Sequence, residues 1–315
     1  MTRVAERLNA ALGELLAEDP SVYLLGEDIT DPYGGAFKVT RGLSTRFPDR
    51  VLGTPISEAA IVGVANGLAL AGDKAIVEIM FADFALLAFD QIVNVAAKST
   101  AMFGRPVPMP LVVRCPAGGN RGYGPTHSQS PQKHFLGVPG LDVHELSPFA
   151  EPLPMLRAML ASGRPSVLFE DKVLYGRSMD LPPLFRTEGD TVVVDGAPGD
   201  DFLIVAPGGL AHRALEAMEA LLVRYERCGA LHVPTRLYPW DPGPVLRHPA
   251  RQILVVEDGP PGASWGTEVA YRLRDCGRPV RVLHAADTVV PTAAHLEREV
   301  LVQASTIVAA LAALT

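Results

Sequence analysis

Short apolar stretches alternate with longer segments of helical periodicity along most of the chain. In the first half, runs rich in β-branched residues predict strands at 21–28, 74–80, 110–115, 141–145 and 165–170. Between them, apolar residues at helical spacing predict helices at Glu58–Leu70, Phe84–Lys98 and Leu153–Ala161. This alternation predicts crossover connections and a mainly parallel sheet with helices on both faces.

A second alternating set begins after residue 200. Its predicted strands lie at 202–207, 230–233, 252–258 and 278–283, and its predicted helices at His212–Tyr225, Thr267–Asp275 and Ser305–Leu314. The stretch 176–190 between the two sets is polar and contains prolines, which is typical of an interdomain linker. We therefore expect an α/β fold of two domains, 1–177 and 191–315, joined by a linker at 178–190.

Composition and charge restrict the class of protein. The chain has 315 residues, of which 48% are hydrophobic and 20% charged, as in an ordinary globular protein. The net charge is −7 and there is no run of Lys or Arg, so a nucleic-acid or anionic-membrane partner has little support. No apolar run reaches the roughly 18 residues of a membrane span.

The N-terminus and the cysteines predict a cytoplasmic protein. The first twenty residues carry acidic side chains within an amphipathic helical pattern, which favours a helix over a signal peptide. The three cysteines, Cys115, Cys228 and Cys276, are far apart and fit no zinc or disulfide spacing. A reducing compartment is the interpretation that these features favour, and we predict no metal ligands on this chain.

One motif of nucleophilic catalysis matches the sequence. Gly262–Gly266 fits G-x-S-x-G, and Asp275 or Asp287 and then His295 follow in the order that a serine hydrolase requires. However, a Gly- and Pro-rich stretch separates Ser264 from the preceding predicted strand, whereas a nucleophile elbow needs a tight strand-to-helix turn. The alternative is that Ser264 or Thr267 caps the next helix. The hydrolase remains a second hypothesis at this point.

Three other segments carry candidate chemistry. Glu58 lies in the first turn of an apolar helix. Its role there is either structural, through the helix dipole or as half of a capping box, or functional, as a carboxylate that relays a proton in an apolar cleft. Phe84 follows a strand and is either a core aromatic or a ring that stacks on a flat heterocycle. His127 lies in a Gly-rich loop after a strand, where it is either a surface residue or an acid–base group.

Together these segments resemble one family. The stretches LLGEDI, GGAFKVTRGLSTRFPDRVLGTPISEAAIVGVANGLALAG, EIMFADFALLAFDQIVNVAAK, PLVVRCPAGG, HSQSPQKHFLGVPGL and VLFEDKVLYG occur in order between residues 24 and 176. They are similar to the beta subunit of the thiamine-diphosphate-dependent 2-oxoacid dehydrogenase (decarboxylating) component, of the pyruvate, branched-chain 2-oxoacid or acetoin type. The resemblance implies a pyrimidine-binding sheet domain followed by a C-terminal transketolase-type α/β domain.

The resemblance also implies roles for individual residues. Glu58 matches the glutamate that hydrogen-bonds N1′ of the cofactor's aminopyrimidine and so favours the tautomer that removes the C2 proton. Phe84 matches the aromatic side chain stacked on that ring, and Ile56 and Met80 match residues that line the pocket. His127 matches the histidine that faces the substrate and the acyl-acceptor arm.

An expected motif is absent and implies partners. The family's diphosphate and magnesium motif, Gly-Asp-Gly followed by Asn about thirty residues later, resides on the alpha subunit of two-chain members. The resemblance therefore implies thiamine diphosphate shared with an alpha subunit that holds most of the Mg²⁺ site, in a complex of two alpha and two beta chains. It implies a 2-oxoacid substrate and a lipoyl-bearing acyltransferase or an acyl-carrier acceptor, with no membrane or nucleic-acid partner.

The sequence also departs from the family. Members commonly carry Asp and Asn before the strand matched by PSVLFE, where they help to bind a monovalent cation. Ser162 and Arg164 stand in that region here, and a guanidinium would oppose bound potassium. The C-terminal half matches least well. A split transketolase or acetoin-type carboligase with the same cofactor therefore stays open, as does a non-catalytic partner that only completes an alpha subunit, although an intact Glu58 argues against the latter.

Overall fold

The computed structural model describes residues 2–178 and 185–312, which form two layered α/β units. The strands are β1 (Val22–Glu27), β2 (Val51–Thr54), β3 (Lys74–Glu78), β4 (Leu111–Ala117), β5 (Asp142–Glu145), β6 (Ser166–Asp171), β7 (Phe185–Glu188), β8 (Thr191–Asp195), β9 (Phe202–Val205), β10 (Gly229–Pro234), β11 (Arg236–Tyr238), β12 (Ile253–Val256) and β13 (Val280–Leu283). One sheet has the order β11-β5-β6-β4-β3-β1-β2, and the other β13-β12-β9-β10-β8-β7.

The α-helices lie between and after these strands. They are α1 (Val4–Glu18), α2 (Leu43–Arg46), α3 (Glu58–Ala71), α4 (Ala97–Ser99), α5 (Pro152–Ala161), α6 (Leu210–Tyr225), α7 (Gly243–Arg247), α8 (Trp265–Arg272), α9 (Ala294–Val300) and α10 (Ala304–Ala312). In the first sheet every pairing is parallel except that of β11 with β5, and in the second β7, β8 and β10 pair antiparallel. The predicted two-domain, mainly parallel α/β fold is confirmed.

The first sheet is covered on both faces, which explains its nearly continuous apolar strands. Val77 and Val113 belong to one apolar cluster with the buried side of α3, whereas their neighbours Ile76 and Val112 belong to another with α1 and α5. Successive side chains of a strand point to opposite faces. Both faces of these strands are therefore buried, and polar–apolar alternation is absent as expected for such a sheet.

One segment predicted as a single helix contains several helix types. The predicted helix Phe84–Lys98 is instead a 3-10 helix, Ala82–Ala88, then a π-helix, Gln91–Ala96, and then the short α4. Apolar periodicity does not distinguish these helix types, because they place similar side chains on the buried side over a few turns.

The predicted linker 178–190 is not simply a connection. Residues 185–188 form β7, which pairs with β8, while 179–184 lie outside the described residues, as do the last two residues of the helix predicted to end at Leu314. The division at 177 and 191 stays a prediction. Moreover, β11, from the second half of the chain, joins the first sheet beside β5. The two sequence halves are therefore structurally interlocked.

A buried ion cluster joins three neighbouring strands of the first sheet. Arg114 on β4 is fully buried, and its Nε and Nη2 donate to the two carboxylate oxygens of Glu170 at 2.7 and 2.8 Å. Its Nη1 donates to Glu78 at 2.7 Å, and the Tyr175 hydroxyl donates to Glu170 at 2.6 Å. Buried charged groups need hydrogen-bond partners within the protein, because water does not reach them. The cluster therefore fixes the positions of β3, β4 and β6 relative to one another.

Arg114→Leu should destabilise the fold strongly. Loss of the guanidinium leaves the carboxylates of Glu78 and Glu170 buried without a counter-charge, and breaking a buried pair in this way costs about 3–5 kcal/mol. Urea unfolding followed by circular dichroism measures the change. Arg157→Leu is the control because it removes only solvent-exposed pairs, with Glu14 and Glu18, and should leave the midpoint unchanged. Equal midpoints for the two variants would contradict a structural role for the Arg114 cluster.

Candidate active site

The carboxyl ends of adjacent strands bring the predicted site residues to one edge of the first sheet. Glu58 begins α3 directly after β2, and Phe84 lies in the 3-10 helix that follows β3. His127 lies in the loop 118–130 that follows β4. Since β2, β1, β3 and β4 are consecutive in the sheet, the three segments leave from neighbouring positions. This is the edge at which parallel α/β sheets bind ligands.

Glu58 is a buried carboxylate without a protein partner. Its side chain is only 7% exposed, and no hydrogen bond from the described part of the chain reaches its carboxylate. Ser57 precedes it at the N-cap position of α3 but makes no side-chain capping bond, so the alternative of a capping box is wrong. Buried polar groups normally have a hydrogen-bond partner. Glu58 therefore has the arrangement of a group that faces a ligand.

Glu27, at the end of β1, is a second buried acid that the sequence analysis missed. Its side chain is buried and its Oε1 has no hydrogen-bond partner. Burial, and then the neighbouring charges of Glu58 and Asp28, raise the pKa of Glu27 above its usual range. A raised pKa favours the neutral, protonated form of Glu27 beside the Glu58 carboxylate. The only signal in the sequence was the pair of acids that ends an apolar strand, LLGED.

His127 and Phe84 are in contact. Their ring centroids are 5.2 Å apart and nearly perpendicular, and the ring of Phe81 lies 4.7 Å from His127 in a similar edge-on arrangement. The Nδ1 atom of His127 lies 3.0 Å from the hydroxyl of Thr126, which orients the imidazole and leaves Nε2 available. Phe81 lies three residues before Phe84 but was not among the site residues predicted from the sequence.

The two residues predicted to line the pocket, Met80 and Ile56, differ in solvent exposure. Met80 is partly buried and lies immediately before Phe81. Ile56 lies between β2 and α3 and is 81% exposed. The structure therefore assembles Glu58, Phe84 and His127 along one edge, whereas Ile56 stands at the surface beside them.

Acidic side chains hold the His127 loop at several points. Asp83 accepts hydrogen bonds from the backbone and side-chain amides of Gln129, at 3.2 and 2.9 Å. Glu297 on α9 accepts from the backbone amides of Asn120 and Gly122 at 2.9 and 3.0 Å. The second half of the chain thus helps to position the loop that carries His127.

A buried cation lies behind the aromatic rings. Lys172 is fully buried, its Nζ has no hydrogen-bond partner, and it lies 5.4 Å from the centroid of Phe81. Burial lowers the pKa of Lys172 to about 8, although the carboxylates of Asp83 and Asp171 oppose this effect. An ammonium over a ring face is attracted by the ring's quadrupole. Lys172 therefore supports the position of Phe81 and, through it, of His127.

In the region where related proteins bind a monovalent cation, Arg164 forms an ion pair. Both Nε and Nη2 of Arg164 lie 3.0 Å from Oδ1 of Asp142 on β5. Ser162 accepts a hydrogen bond from the backbone amide of Arg164 at 3.1 Å. Within the described ranges, no group of His, Cys, Asp or Glu has the geometry of a metal site.

The structure does not form the triad that the G-x-S-x-G motif suggested. Ser264 caps α8 by accepting from the backbone amide of Thr267 at 3.3 Å, as the capping interpretation predicted. Its Oγ lies 2.9 Å from Nε2 of His284, and the same nitrogen lies 2.9 Å from Glu257. A catalytic triad requires the two imidazole nitrogens to contact nucleophile and acid separately. The hydrolase hypothesis is therefore wrong on geometry.

Comparison with known families identifies the two domains. Residues 2–177 match the transketolase pyrimidine binding domain, and residues 190–307 match the transketolase C-terminal domain. A solved structure described as a split gene transketolase, inactive beta4 tetramer, aligns with a TM-score of 0.81 over 98% of this chain and 96% of that chain, at 21% identity. The fold and the site thus define a two-domain protein of the transketolase type.

Relatives identify the branch of that family. The chain is 32% identical to the mitochondrial pyruvate dehydrogenase E1 component subunit beta-1 of Oryza sativa subsp. japonica, over 98% of this chain and 85% of the relative. It is 35% identical to the pyruvate dehydrogenase E1 component subunit beta of Leifsonia xyli subsp. xyli, over 85% of this chain and 80% of that protein. The chain belongs to the family of 2-oxoacid dehydrogenase E1 beta subunits, whose members depend on thiamine diphosphate.

Ser264→Ala should affect stability and nothing else. The variant removes an N-cap hydroxyl, which costs about 1 kcal/mol. Urea unfolding should show this loss, and purified wild-type chain should hydrolyse no p-nitrophenyl ester above the background rate. An esterase activity that Ser264→Ala abolishes would restore the hydrolase hypothesis.

Proposed function

We propose that this chain, together with an alpha subunit, decarboxylates a 2-oxoacid such as pyruvate and transfers the acyl unit to a lipoyl or biosynthetic acceptor. The observation that carries the proposal is the buried, unpartnered carboxylate of Glu58, at the sheet edge shared with Phe84 and His127. The names of the relatives support the reaction class, because those proteins are subunits of pyruvate dehydrogenase E1.

The described residues fit the aminopyrimidine half of thiamine diphosphate. A flat, protonatable heterocycle needs a carboxylate at one ring nitrogen and an aromatic or apolar contact on its face. Glu58 supplies a free carboxylate and Phe84 supplies the ring, with Ile56 and Met80 alongside. Bound there, the cofactor supplies the electron sink that decarboxylation requires.

The residues of this chain control protons and position. Glu58 holds a proton at the ring nitrogen, and Glu27, whose pKa is raised by burial, lies next to it. His127 faces the incoming substrate with its free Nε2, while the hydrogen bonds that Gln129 donates to Asp83 keep the His127 loop in place. Fixed geometry of this kind contributes to rate by orientation, because less motion must be frozen in the transition state.

The remaining half of the site belongs to a partner in this proposal. The sequence lacks the Gly-Asp-Gly diphosphate motif, and the described residues contain no cluster suited to a metal. We place the diphosphate and its Mg²⁺ mainly on the alpha subunit, in an assembly of two alpha and two beta chains. The carboligase alternative uses the same residues with a different acceptor, and the relatives favour the dehydrogenase.

We also propose a cytoplasmic location. The three cysteines have free thiols, which suits a reducing compartment. No helix in the described ranges has the length and apolar character to cross a membrane. Among the relatives, those of rice and Arabidopsis are named as mitochondrial.

Glu58→Gln should abolish turnover while leaving assembly with the alpha subunit intact. An amide cannot hold or release the proton at the pyrimidine nitrogen, so activation of the cofactor at C2 should fail. Hydrogen–deuterium exchange of the C2 proton, followed by NMR in the reconstituted complex, measures this step directly.

Glu14→Gln is the matched control, since Glu14 is an exposed acid on α1 away from the site. It should exchange at the wild-type rate. Wild-type exchange in Glu58→Gln as well would remove Glu58 from the proton relay, and loss of the complex on gel filtration would give it an assembly role instead.

A further inference from the structure

A groove beside the active site combines positive charge with aromatic walls. It has a volume of about 610 Å³ and lies between α1, the loop after β1, and the His127 loop. Its cationic side chains are Arg3, Lys38, Arg41 and Arg121, against the single carboxylate of Glu6. The whole chain has a net charge of −7, whereas the charge of the groove is positive. Such a patch attracts an acidic partner.

The positive charges of the groove are exposed and not neutralised. All four cationic residues are solvent-exposed, and none forms an ion pair with a carboxylate within residues 2–178 and 185–312. Lys38 and Arg121 are steadied by backbone carbonyls, those of Tyr33 at 2.8 Å and Lys172 at 3.0 Å. Their charge therefore remains available to a partner.

The groove is continuous with the aromatic cluster of the active site. Tyr123 and Phe37 line it, and their ring centroids lie 5.8 and 5.7 Å from that of Phe81. Phe81 in turn lies 4.7 Å from His127. One aromatic ring thus separates the groove from His127. A protein domain bound over the groove can therefore extend a flexible arm to the edge of the sheet that carries His127.

We propose that this groove docks the acidic face of the carrier domain that brings the acyl acceptor to His127. This inference rests on the proposed function and adds the surface and the charge of the partner. A site for a small anion would bury its donors, whereas these charges stand on an exposed rim. Exposed rim charges govern the rate and salt dependence of protein association. A groove of this kind suits a transient complex that releases the carrier after each transfer.

The test uses the full chain reconstituted with its alpha subunit, and a lipoyl domain of net negative charge as the probe. In the transfer, the carbon that decarboxylation leaves electron-rich donates its electron pair to the disulfide of the arm: that carbon bonds to one sulfur, the sulfur–sulfur bond breaks, and the other sulfur takes a proton. The carbon is thereby oxidised to the acyl level, and it loses its hydroxyl proton as the acyl unit leaves on the arm. In Arg3→Glu/Arg41→Glu, kcat/KM for the lipoyl domain at low ionic strength should fall about tenfold or more, and most of the loss should disappear when salt screens the charges.

The control has the same change of charge elsewhere. Arg224→Glu/Arg281→Glu replaces two exposed arginines of the second domain, neither of which forms an ion pair in the described structure, and should retain the wild-type kcat/KM. Oxidation of the 2-oxoacid by a small dye should be unchanged in both double variants, because it needs no carrier.

Two results would overturn the proposal. One is equal kcat/KM for the lipoyl domain in the two double variants. The other is failure of Arg3→Glu/Arg41→Glu to assemble with the alpha subunit, which would make the groove a subunit interface. Fluorescence anisotropy of the labelled lipoyl domain measures docking without turnover. Charge-dependent binding with no dye reaction in the wild-type complex would keep the docking surface and reject the proposed activity.

Discussion

The buried cluster around Arg114 is the constraint on which the site depends. Its guanidinium links Glu78 and Glu170. The carboxyl ends of β3, β4 and β6 are therefore held at fixed positions relative to one another along the strand direction. The segments that carry Phe84 and His127 leave from β3 and β4, immediately beyond these contacts. A shift of one strand by a single residue would move its side chains to the opposite face. The ion cluster therefore sets the geometry on which the distances among the aromatic rings rest.

Several unpaired polar groups lie behind and beside this edge. Glu58 and Glu27 have carboxyl oxygens without partners, and the ammonium of Lys172 is buried without a hydrogen bond. Leaving such groups unpaired costs free energy, and proteins tolerate this cost mainly where a ligand supplies the missing contacts. The unpaired groups named here therefore support the proposed ligand site at this edge.

Much of the fold could be predicted from the sequence, because short apolar runs alternate with longer segments of helical spacing. The parallel strands followed from continuous runs rich in β-branched residues, and the helix that begins at Glu58 followed from apolar residues at helical spacing. The irregular segment after β3 could not, since 3-10 and π turns bury similar positions. Strand β11 was also missed, because three residues carry too little pattern to reveal that they pair with β5.

The candidate site could be proposed in part from the sequence, because a family resemblance covers some of its residues. Glu58, Phe84 and His127 lie within extended motifs, whereas Phe81, Glu27 and Lys172 act through contacts between segments far apart in the sequence. Such contacts depend on which strands are neighbours in the sheet. A local pattern does not contain that information, and the cationic groove formed by α1 and two loops is hidden for the same reason.

Titration calorimetry of thiamine diphosphate with Mg²⁺, on the chain alone and with its alpha subunit, tests the half-site most directly. A stacked ring contributes about 0.5–1.5 kcal/mol beyond area burial, which is too little to hold the cofactor at micromolar concentration. The account predicts no saturable binding to the isolated chain and tight binding to the complex. Micromolar binding of one cofactor per isolated chain would contradict it.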